Sequence, residues 1–379
     1  MEPDRLELIA YNLKGERGPA RALARLYERC AKARREGRPF DRAQGLPGIP
    51  ARPEGLVASE PLTEADFEAA RRELERARAF GARIVTWGDP GYPEALKESL
   101  YPPPVLYVKG SVEPGDRAAV AVVGSRRSEP EYAEFAFELA FELARRGITI
   151  VSGLARGVDR AAHEGALAAG GRTLAVLAHG IDTLYPRSHA GLAEDIARHG
   201  ALVTFFPVGV PPLPFRFPAR NWVVASLSLG VVVVRGGLKS GALITADFAA
   251  AQGRCVMAVP GHVHHPLSKG PNTLLQEGAG VVLEAEDVLS HLGDAMQLAS
   301  VKLRPVADAG APARRSPGAR GGDIRAAVRE RLRRGPADAE ALARAAGADV
   351  GTVLALLVRM EVDGEVEPLG GGRYRLSRR

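Results

Sequence analysis

The sequence predicts an α/β fold: a doubly wound, mainly parallel sheet with helices on both faces. Three observations in the stretch from Arg117 to His163 carry this. An apolar run, Ala118 to Val123, stops at Gly124-Ser125-Arg126. A helical pattern follows, with Tyr132, Phe135, Leu139 and Leu143 at spacings of three and four residues. A second apolar run, Ile148 to Val151, stops at Ser152-Gly153 and feeds the turn Arg156-Gly157-Val158-Asp159. Strand, helix, strand, turn and helix in this order open a parallel sheet whose strand carboxyl ends share one edge. The two turns should therefore lie side by side, each before a helix, offering backbone N–H groups and arginines to an anion.

Composition sets the frame. A chain of 379 residues with 46% hydrophobic and 25% charged residues is expected to make two or three globular domains. The run from Val223 to Val234 contains serines and is too short to span a bilayer, and Glu2 and Asp4 spoil a signal-peptide layout. A cytoplasmic protein with no membrane role is expected. Cys30 and Cys255 support neither a disulfide framework nor a zinc site. A net charge of +6 permits nucleic-acid binding without establishing it.

In chain order, residues 1–81 read as a helical domain. Leu6, Ile9 and Leu13 have helical spacing, Arg21 to Arg35 is a basic helix, and Thr63 to Phe80 is another, with Thr63 and Asp66 as a capping box and Gly81 as its stop. The loop Leu46-Pro47-Gly48-Ile49-Pro50 between helices resembles a helix-hairpin-helix DNA motif, but PxGxP loops are usually only turns, and the turn reading is preferred. Residues 82–293 form the core domain. Arg83 to Trp87 and Val105 to Val108 add edge strands, because the prolines between them confine this arm to edges and turns. Further strands are expected at Thr173 to Ala178, Ala201 to Phe205, Gly230 to Val234, Arg254 to Val259 and Gly280 to Leu283. Helices fill the gaps at Asp159 to Ala169, His189 to His199, Pro218 to Ala225 and Ala242 to Gln252. Residues 294–322, rich in Ala, Pro, Gly and Arg, read as a flexible linker. Residues 323–379 read as a winged-helix module: helices at Asp323 to Arg334, Ala337 to Ala346 and Val350 to Asp363, then a small hairpin, with Asp349 to Met360 in the place of a recognition helix.

The chemistry points to phosphate rather than to catalysis. Gly153 and Gly157 lack the Gly-Lys-Ser/Thr ending of a P-loop, and no GxGxxG fingerprint is present, so neither ATP hydrolysis nor a nicotinamide cofactor is expected. Arg126, Arg127 and Arg156 can set forked guanidiniums against phosphate oxygens; the competing reading pairs them with Asp159 or Glu129 to fix the loops. Gly236 to Gly241, with Lys239, Ser240 and Gly241, makes a third turn of the same kind. Phe215, Arg216, Phe217 and Arg220 interleave aromatics with guanidiniums just before Asn221, the pattern that stacks unpaired bases while tracking their backbone. His179 beside Asp182 suggests an acid–base pair, but no Ser or Cys nucleophile sits in an elbow, and no catalytic residue is assigned. His163 reads as a helix residue packed on the neighbouring loop. His262, His264 and His265 lack partners at ligand spacing, so no metal or other cofactor is expected.

The segments VVGSRR, VSGLARGVDRAAHEGAL, LAHGIDTLYPRSH, FPARN and KSGALITADFA, with VPG downstream, resemble in order the DNA-processing protein A family, also called DprA or Smf. The resemblance implies a helical domain like a sterile-alpha-motif fold, an extended Rossmann-like core and a winged helix. It implies a single-stranded-DNA-binding protein of natural transformation that protects incoming strands, loads the recombinase RecA and acts as a homodimer through its core. Gly124, Ser125 and Arg126 would hold the strand, with Arg156, Arg187, Arg220 and Lys239 on matching motif edges. The expected site also includes Arg127, Ser152, Gly153, Gly157, His179, Phe217, Asn221, Ser240 and Gly241. The chain departs from the family pattern at Thr204-Phe205-Phe206, at Trp222 and at Arg235-Gly236, changes expected to alter charge at the site edge. The alternatives are a nucleotide-processing enzyme similar to phosphoribohydrolases, disfavoured because no glutamate follows Gly236-Gly237 into its helix, and a winged helix that reads double-stranded DNA.

Overall fold

A computed structural model describes residues 5–14, 62–298, 303, 306, 319–333 and 335–346, and residues 353–377 except 355, 358, 359, 362 and 370–372. They fall into two compact units, Met1–Pro312 and Ala313–Arg379. The expected basic helix from Arg21 to Arg35 and the turn at Leu46 to Pro50 lie outside the described residues.

The first unit opens with α1 (Arg5–Leu13) and α2 (Glu64–Ala79). Thr63 caps α2 through the expected box, its backbone N–H donating to Asp66 at 2.7 Å. Then come β1 (Arg83–Thr86), the short α3 (Glu94–Lys97), β2 (Val105–Gly110), β3 (Ala119–Gly124), α4 (Pro130–Arg145), β4 (Thr149–Ser152), α5 (Val158–Ala168) and β5 (Thr173–Val176). The unit continues with α6 (Ala190–His199), β6 (Ala201–Thr204), α7 (Arg216–Ser226), β7 (Gly230–Arg235), α8 (Gly241–Ala251), β8 (Cys255–Ala258), α9 (Lys269–Gln276), β9 (Gly280–Val281) and α10 (Ala285–Leu298).

The strands form one 9-stranded sheet in the order β1-β2-β6-β5-β4-β3-β7-β8-β9. Every neighbouring pair from β6 to β9 is parallel, while β2 runs antiparallel to β6 and β1 to β2. The proline-rich arm thus supplies the antiparallel edge, as its composition suggested. Alternation sorts the core with period two. Ala119, Ala121 and Val123 of β3 pack with Trp222 and Phe248 of α7 and α8, whereas Val120 and Val122 pack with Phe141 and Ala162 of α4 and α5. Helices on both faces explain why the strands read as unbroken apolar runs. The chain winds outward from β3 through β4, β5 and β6, then returns to place β7 on the other side of β3. That reversal is where doubly wound sheets bind ligands.

The first residues of the stretch read as a flexible linker are helical, and most of the rest lies outside the described residues. Helix α10 runs to Leu298, because Ala295, Met296 and Gln297 are good helix formers and Met296 packs on the core. Further on, Leu303 packs on the same cluster and the Val306 N–H donates to the Arg145 carbonyl at 2.9 Å.

In the second unit α11 (Ala319–Arg333) is followed by β10 (Ala337–Asp338), α12 (Ala339–Ala346), helical residues between 353 and 361, and the hairpin β11 (Val366–Leu369) and β12 (Arg373–Leu376). The strands make a 3-stranded antiparallel sheet, β10-β12-β11. The helix expected from Ala337 instead starts at Ala339. Asp338 accepts the Ala341 N–H at 2.7 Å as a cap, and the two residues before the helix pair with the wing. Much of Asp349 to Met360, the expected recognition helix, lies outside the described residues.

Candidate phosphate-binding rim and pocket

Because β4, β3 and β7 are neighbours, their carboxyl-terminal turns lie in a row, with the end of β5 beside them. The β3 turn presents Gly124, Ser125, Arg126 and Arg127; the β4 turn presents Gly153, Arg156 and Gly157; the β7 turn presents Lys239, Ser240 and Gly241. The first two turns touch. The Val158 N–H donates to the Ser125 carbonyl at 3.3 Å, and a Cβ on Gly157 would stand 2.3 Å from that same oxygen. With φ at +73°, Gly157 is a position that only glycine fills without strain.

The β4 turn is held from beneath by a buried polar cage. Asp159 accepts the N–H groups of Gly153 at 3.1 Å and Ala155 at 3.4 Å. Burial raises its pKa, opposed by the charge of Arg220 and by those two N–H bonds. Leu154 sits at a left-handed φ of 58°, unusual for leucine, pinned on both sides. Its N–H donates to His163 Nε2 at 3.3 Å, and its carbonyl accepts from His189 Nδ1 at 3.0 Å. His163 is wholly buried and its other ring nitrogen meets Thr173 Oγ1 at 2.7 Å. Burial drives its pKa to about 3, helped by the charges of His189 and Arg220. The expectation that His163 packs on the neighbouring loop is met, with the hydrogen bonds added.

An open pocket of about 390 Å³ lies at the β3–β7 reversal, reached by Arg126, Gly153, Phe217, Arg220, Ser240 and Gly241. Arg126 and Arg127 are exposed, as are Arg156, Arg187 and Lys239. Among the described residues, none of these five side chains has an ion pair. The competing reading, that the arginines pair with Glu129 or Asp159, is therefore not what the structure shows. Arg126 instead lies over the Phe217 ring, 5.0 Å from its centre. Glu129 pairs with Arg235 at 3.0 Å and with His265 at 2.7 Å.

Four expected site residues are placed differently from an outward-facing contact. Arg220 is only 5% exposed; its Nη1 donates to the Gly153 carbonyl at 2.7 Å and the Val176 carbonyl at 2.5 Å, and its Nε to Asn221 at 3.0 Å. Burial lowers its pKa to about 10. It thus puts a desolvated cation into the pocket wall, answered in part by the buried Asp159 carboxylate. Ser152 is fully buried and donates to the Val122 carbonyl at 2.7 Å, joining the strands rather than facing a ligand. His179 is buried and hydrogen-bonds the Gly180 carbonyl at 2.9 Å, while Asp182 accepts the Gly209 N–H at 2.8 Å. Burial lowers the His179 pKa. Asn221 acts as a tie, donating to the Gly241 carbonyl at 3.0 Å, so it joins the β4 and β7 turns through Arg220.

The departures at Trp222 and Arg235 do not reach the site edge. Trp222 is fully buried, donating to the Tyr101 carbonyl at 3.2 Å, and Arg235 is buried against Glu129 with its guanidinium 3.6 Å from the Tyr132 ring centre. Phe205 and Phe206 stack at 4.3 Å in the core. Sequence reasoning passed over Tyr185 as a site residue; its ring is exposed and meets Phe217 edge-on at 6.2 Å. The aromatic type at a strand-end loop beside Arg187 was the available signal. Among the described residues, no group of three or more His, Cys, Asp and Glu side chains is arranged to hold a metal ion. No helix among them is long and apolar enough to cross a membrane.

Comparison with known proteins bears on the fold. Residues 83–293 match the family described as DNA recombination-mediator protein A, and residues 311–372 match the DprA winged helix domain. Protein Smf of Escherichia coli K12 is 45% identical over 203 residues, which cover 53% of this chain and 54% of that protein. The chain thus matches about half the length of that relative. The X-ray structure of DNA processing protein A from Streptococcus pneumoniae superposes with a TM-score of 0.59 at 30% identity, covering 76% of this chain and 98% of that one. A structure of DNA processing protein A from Helicobacter pylori, described for its single-stranded DNA binding mode, superposes with a TM-score of 0.50 at 29% identity, covering 57% and 98%. On these matches and on the sheet they span, the chain belongs to the DNA recombination-mediator protein A family.

Proposed function

We propose that the chain binds single-stranded DNA along the rim formed by the β4, β3 and β7 turns, without catalysing a reaction on it. One observation carries this most: the exposed cations Arg126, Arg127, Arg156 and Lys239 on neighbouring turns, without an ion pair among the described residues, stand around an open pocket at the sheet's reversal. A row of turns suits a polyanion better than a single phosphate. The structure from Helicobacter pylori, described for its single-stranded DNA binding mode, supports the same reading. Gly124, Ser125, Arg126, Arg127, Gly153, Arg156, Gly157, Arg187, Lys239, Ser240 and Gly241 would meet the backbone. Ser152, His179, Arg220 and Asn221 would hold the turns in place, and Phe217 would support Arg126. On the family resemblance we extend this to a cytoplasmic homodimer that protects strands entering during natural transformation and loads RecA on them.

Phosphate contacts carry no sequence information, so binding should be weakly sequence-dependent and strongly salt-dependent. Arg126→Ala and Lys239→Ala should each weaken binding about equally for all sequences and reduce the salt slope by about one. Fluorescence anisotropy with labelled oligonucleotides across a salt series measures both. Unchanged affinity and slope in both variants would remove the site. RecA loading is tested separately, by whether the protein shortens the lag of RecA filament growth on a strand coated with single-strand-binding protein.

A further inference from the structure

We infer that the track for the strand's phosphates continues one turn further along the sheet edge, onto the loop after β8, where His262, His264 and Lys269 add a contact surface. The inference rests on the single-strand reading above and extends it to a loop outside the rim of β4, β3 and β7.

Strand β8 pairs in parallel with β7 on the side away from β3, so the loop after it, residues 260–268, follows the β7 turn along the same edge. Two backbone bonds join the loop to that turn. The Gly236 N–H donates to the Leu267 carbonyl at 2.7 Å, and the Gly270 N–H to the Gly236 carbonyl at 2.9 Å. A third tie reaches the β3 turn: His265 Nε2 meets Glu129 at 2.7 Å, and Glu129 lies two residues after Arg127. The other ring nitrogen of His265 accepts the Leu267 N–H at 3.2 Å, so this histidine is used on both sides. Asn272 closes the base of the loop, accepting the Gly261 N–H at 3.1 Å and donating to the Gly261 carbonyl at 2.9 Å. The loop is thus fixed against the turns that carry Arg126, Arg127 and Lys239.

The side chains this loop turns to solvent are donors. His262, His264 and Lys269 are exposed, and none of the three has an ion pair among the described residues. His262 Nδ1 accepts the His264 N–H at 3.3 Å, which leaves Nε2 as the donor of the neutral ring. The two imidazoles lie 5.6 Å apart, a paired contact rather than scattered residues. Lys269 is the first residue of α9, where a positive side chain works against the helix dipole, and the first turn holds no acidic residue to offset it. That local cost in the free chain is relieved by an anion lying over the loop. Charge and continuity name the occupant: a strand gripped at Lys239 is a polyanion whose next phosphates fall on this loop. Val263 is the loop's one exposed large apolar side chain, too little to seat a protein partner.

The test is a length series on the full chain: oligothymidylates of about 4 to about 16 nucleotides, the span of single-strand site sizes, followed by anisotropy. Wild-type affinity should rise with length until the strand covers both the rim and the β8 loop. The double variant His264→Ala with Lys269→Ala should bind the shortest bound strand as the wild type does. On the longest strand it should lose about ten-fold, the size of one charge-assisted contact. Its salt slope there should be shallower by about 0.7 for the lost lysine–phosphate contact. Lys269→Arg, which keeps the charge, should bind every length as the wild type does. A second reading comes from diethyl pyrocarbonate, which acylates accessible imidazoles. The longest strand should protect His262 and His264 in the wild type, and should leave His199, exposed at the end of α6 on the opposite edge of the sheet, unprotected. An equal loss at every length in the double variant, no loss at any length, or no protection of the two histidines would each overturn the inference. Failure of the wild type to bind any of the strands would instead overturn the single-strand reading itself, and the extension with it.

Discussion

Single residues decide how the rim keeps its shape, and the clearest case is a buried histidine. His163 accepts the Leu154 N–H, so it must stay neutral, and its pKa of about 3 lies well below the ordinary 6.5. Above pH 6.5 neither folded nor unfolded chain carries a proton there, and the neutral ring stabilises the turn fully. Below 6.5 only the unfolded chain gains the proton, so stability is lost progressively as pH falls toward 3. At pH 5 the loss from this residue is about 2 kcal/mol. Urea unfolding at pH 7 and pH 5 should show that drop in the wild type, and a His163→Gln variant should lack most of it. An equal drop in the variant would assign the acid sensitivity elsewhere, for instance to His179, whose pKa burial also lowers. Sequence spacing placed His163 on the neighbouring loop correctly, but the left-handed Leu154 that it pins leaves no mark in composition. Arg220 shows the same limit: its residue type suggested a surface contact, and only the fold reveals that Gly153, with no Cβ, lets the guanidinium lie 2.2 Å from where one would stand.

Between elements, the tie that joins β7 to the start of α4 is ionic. Arg235 donates to both carboxylate oxygens of Glu129, at 3.1 and 3.0 Å, and Glu129 is the residue just before α4. The Arg235 side chain is 3% exposed and that of Glu129 28%. Removing the carboxylate leaves a buried charge, so Glu129→Ala should destabilise the fold by about 3 kcal/mol, at the low end for a buried pair because Glu129 is partly solvated. Replacing both, as Glu129→Ala with Arg235→Met, should recover part of that loss in chemical denaturation. A double variant weaker than Glu129→Ala alone would refute the pairing as the source. The strands around this tie were legible in the sequence because each is a pure apolar run buried on both faces. What was not legible is which polar residue answers which across the sheet, since Glu129 and Arg235 are 106 positions apart. That is why Arg235 read as a charge at the site edge when it is a neutralised core residue. The end of α10 was missed for a related reason: composition weighs alanine, proline and glycine together, whereas Met296 and Leu303 act through what they pack against.

At the scale of the whole molecule, every turn of the rim, the pocket and Tyr185 belong to the unit Met1–Pro312, so the second unit should be dispensable for holding a single strand. A chain ending at Pro312 should keep single-strand affinity within about two-fold at fixed salt, since it loses none of the rim phosphate contacts that dominate such binding. Where the cut falls matters. Ending the chain at Asp294 instead removes Met296, Leu303 and Val306, uncovers the core face they pack on and leaves the Arg145 carbonyl without its partner. That shorter chain should unfold at a lower temperature than the one ending at Pro312, and its affinity should fall only to the extent that it is unfolded. Anisotropy and thermal unfolding on the two truncations separate these effects. If the longer truncation folds normally yet loses single-strand affinity more than ten-fold, the winged-helix unit contributes directly to the grip, and the rim alone does not account for binding.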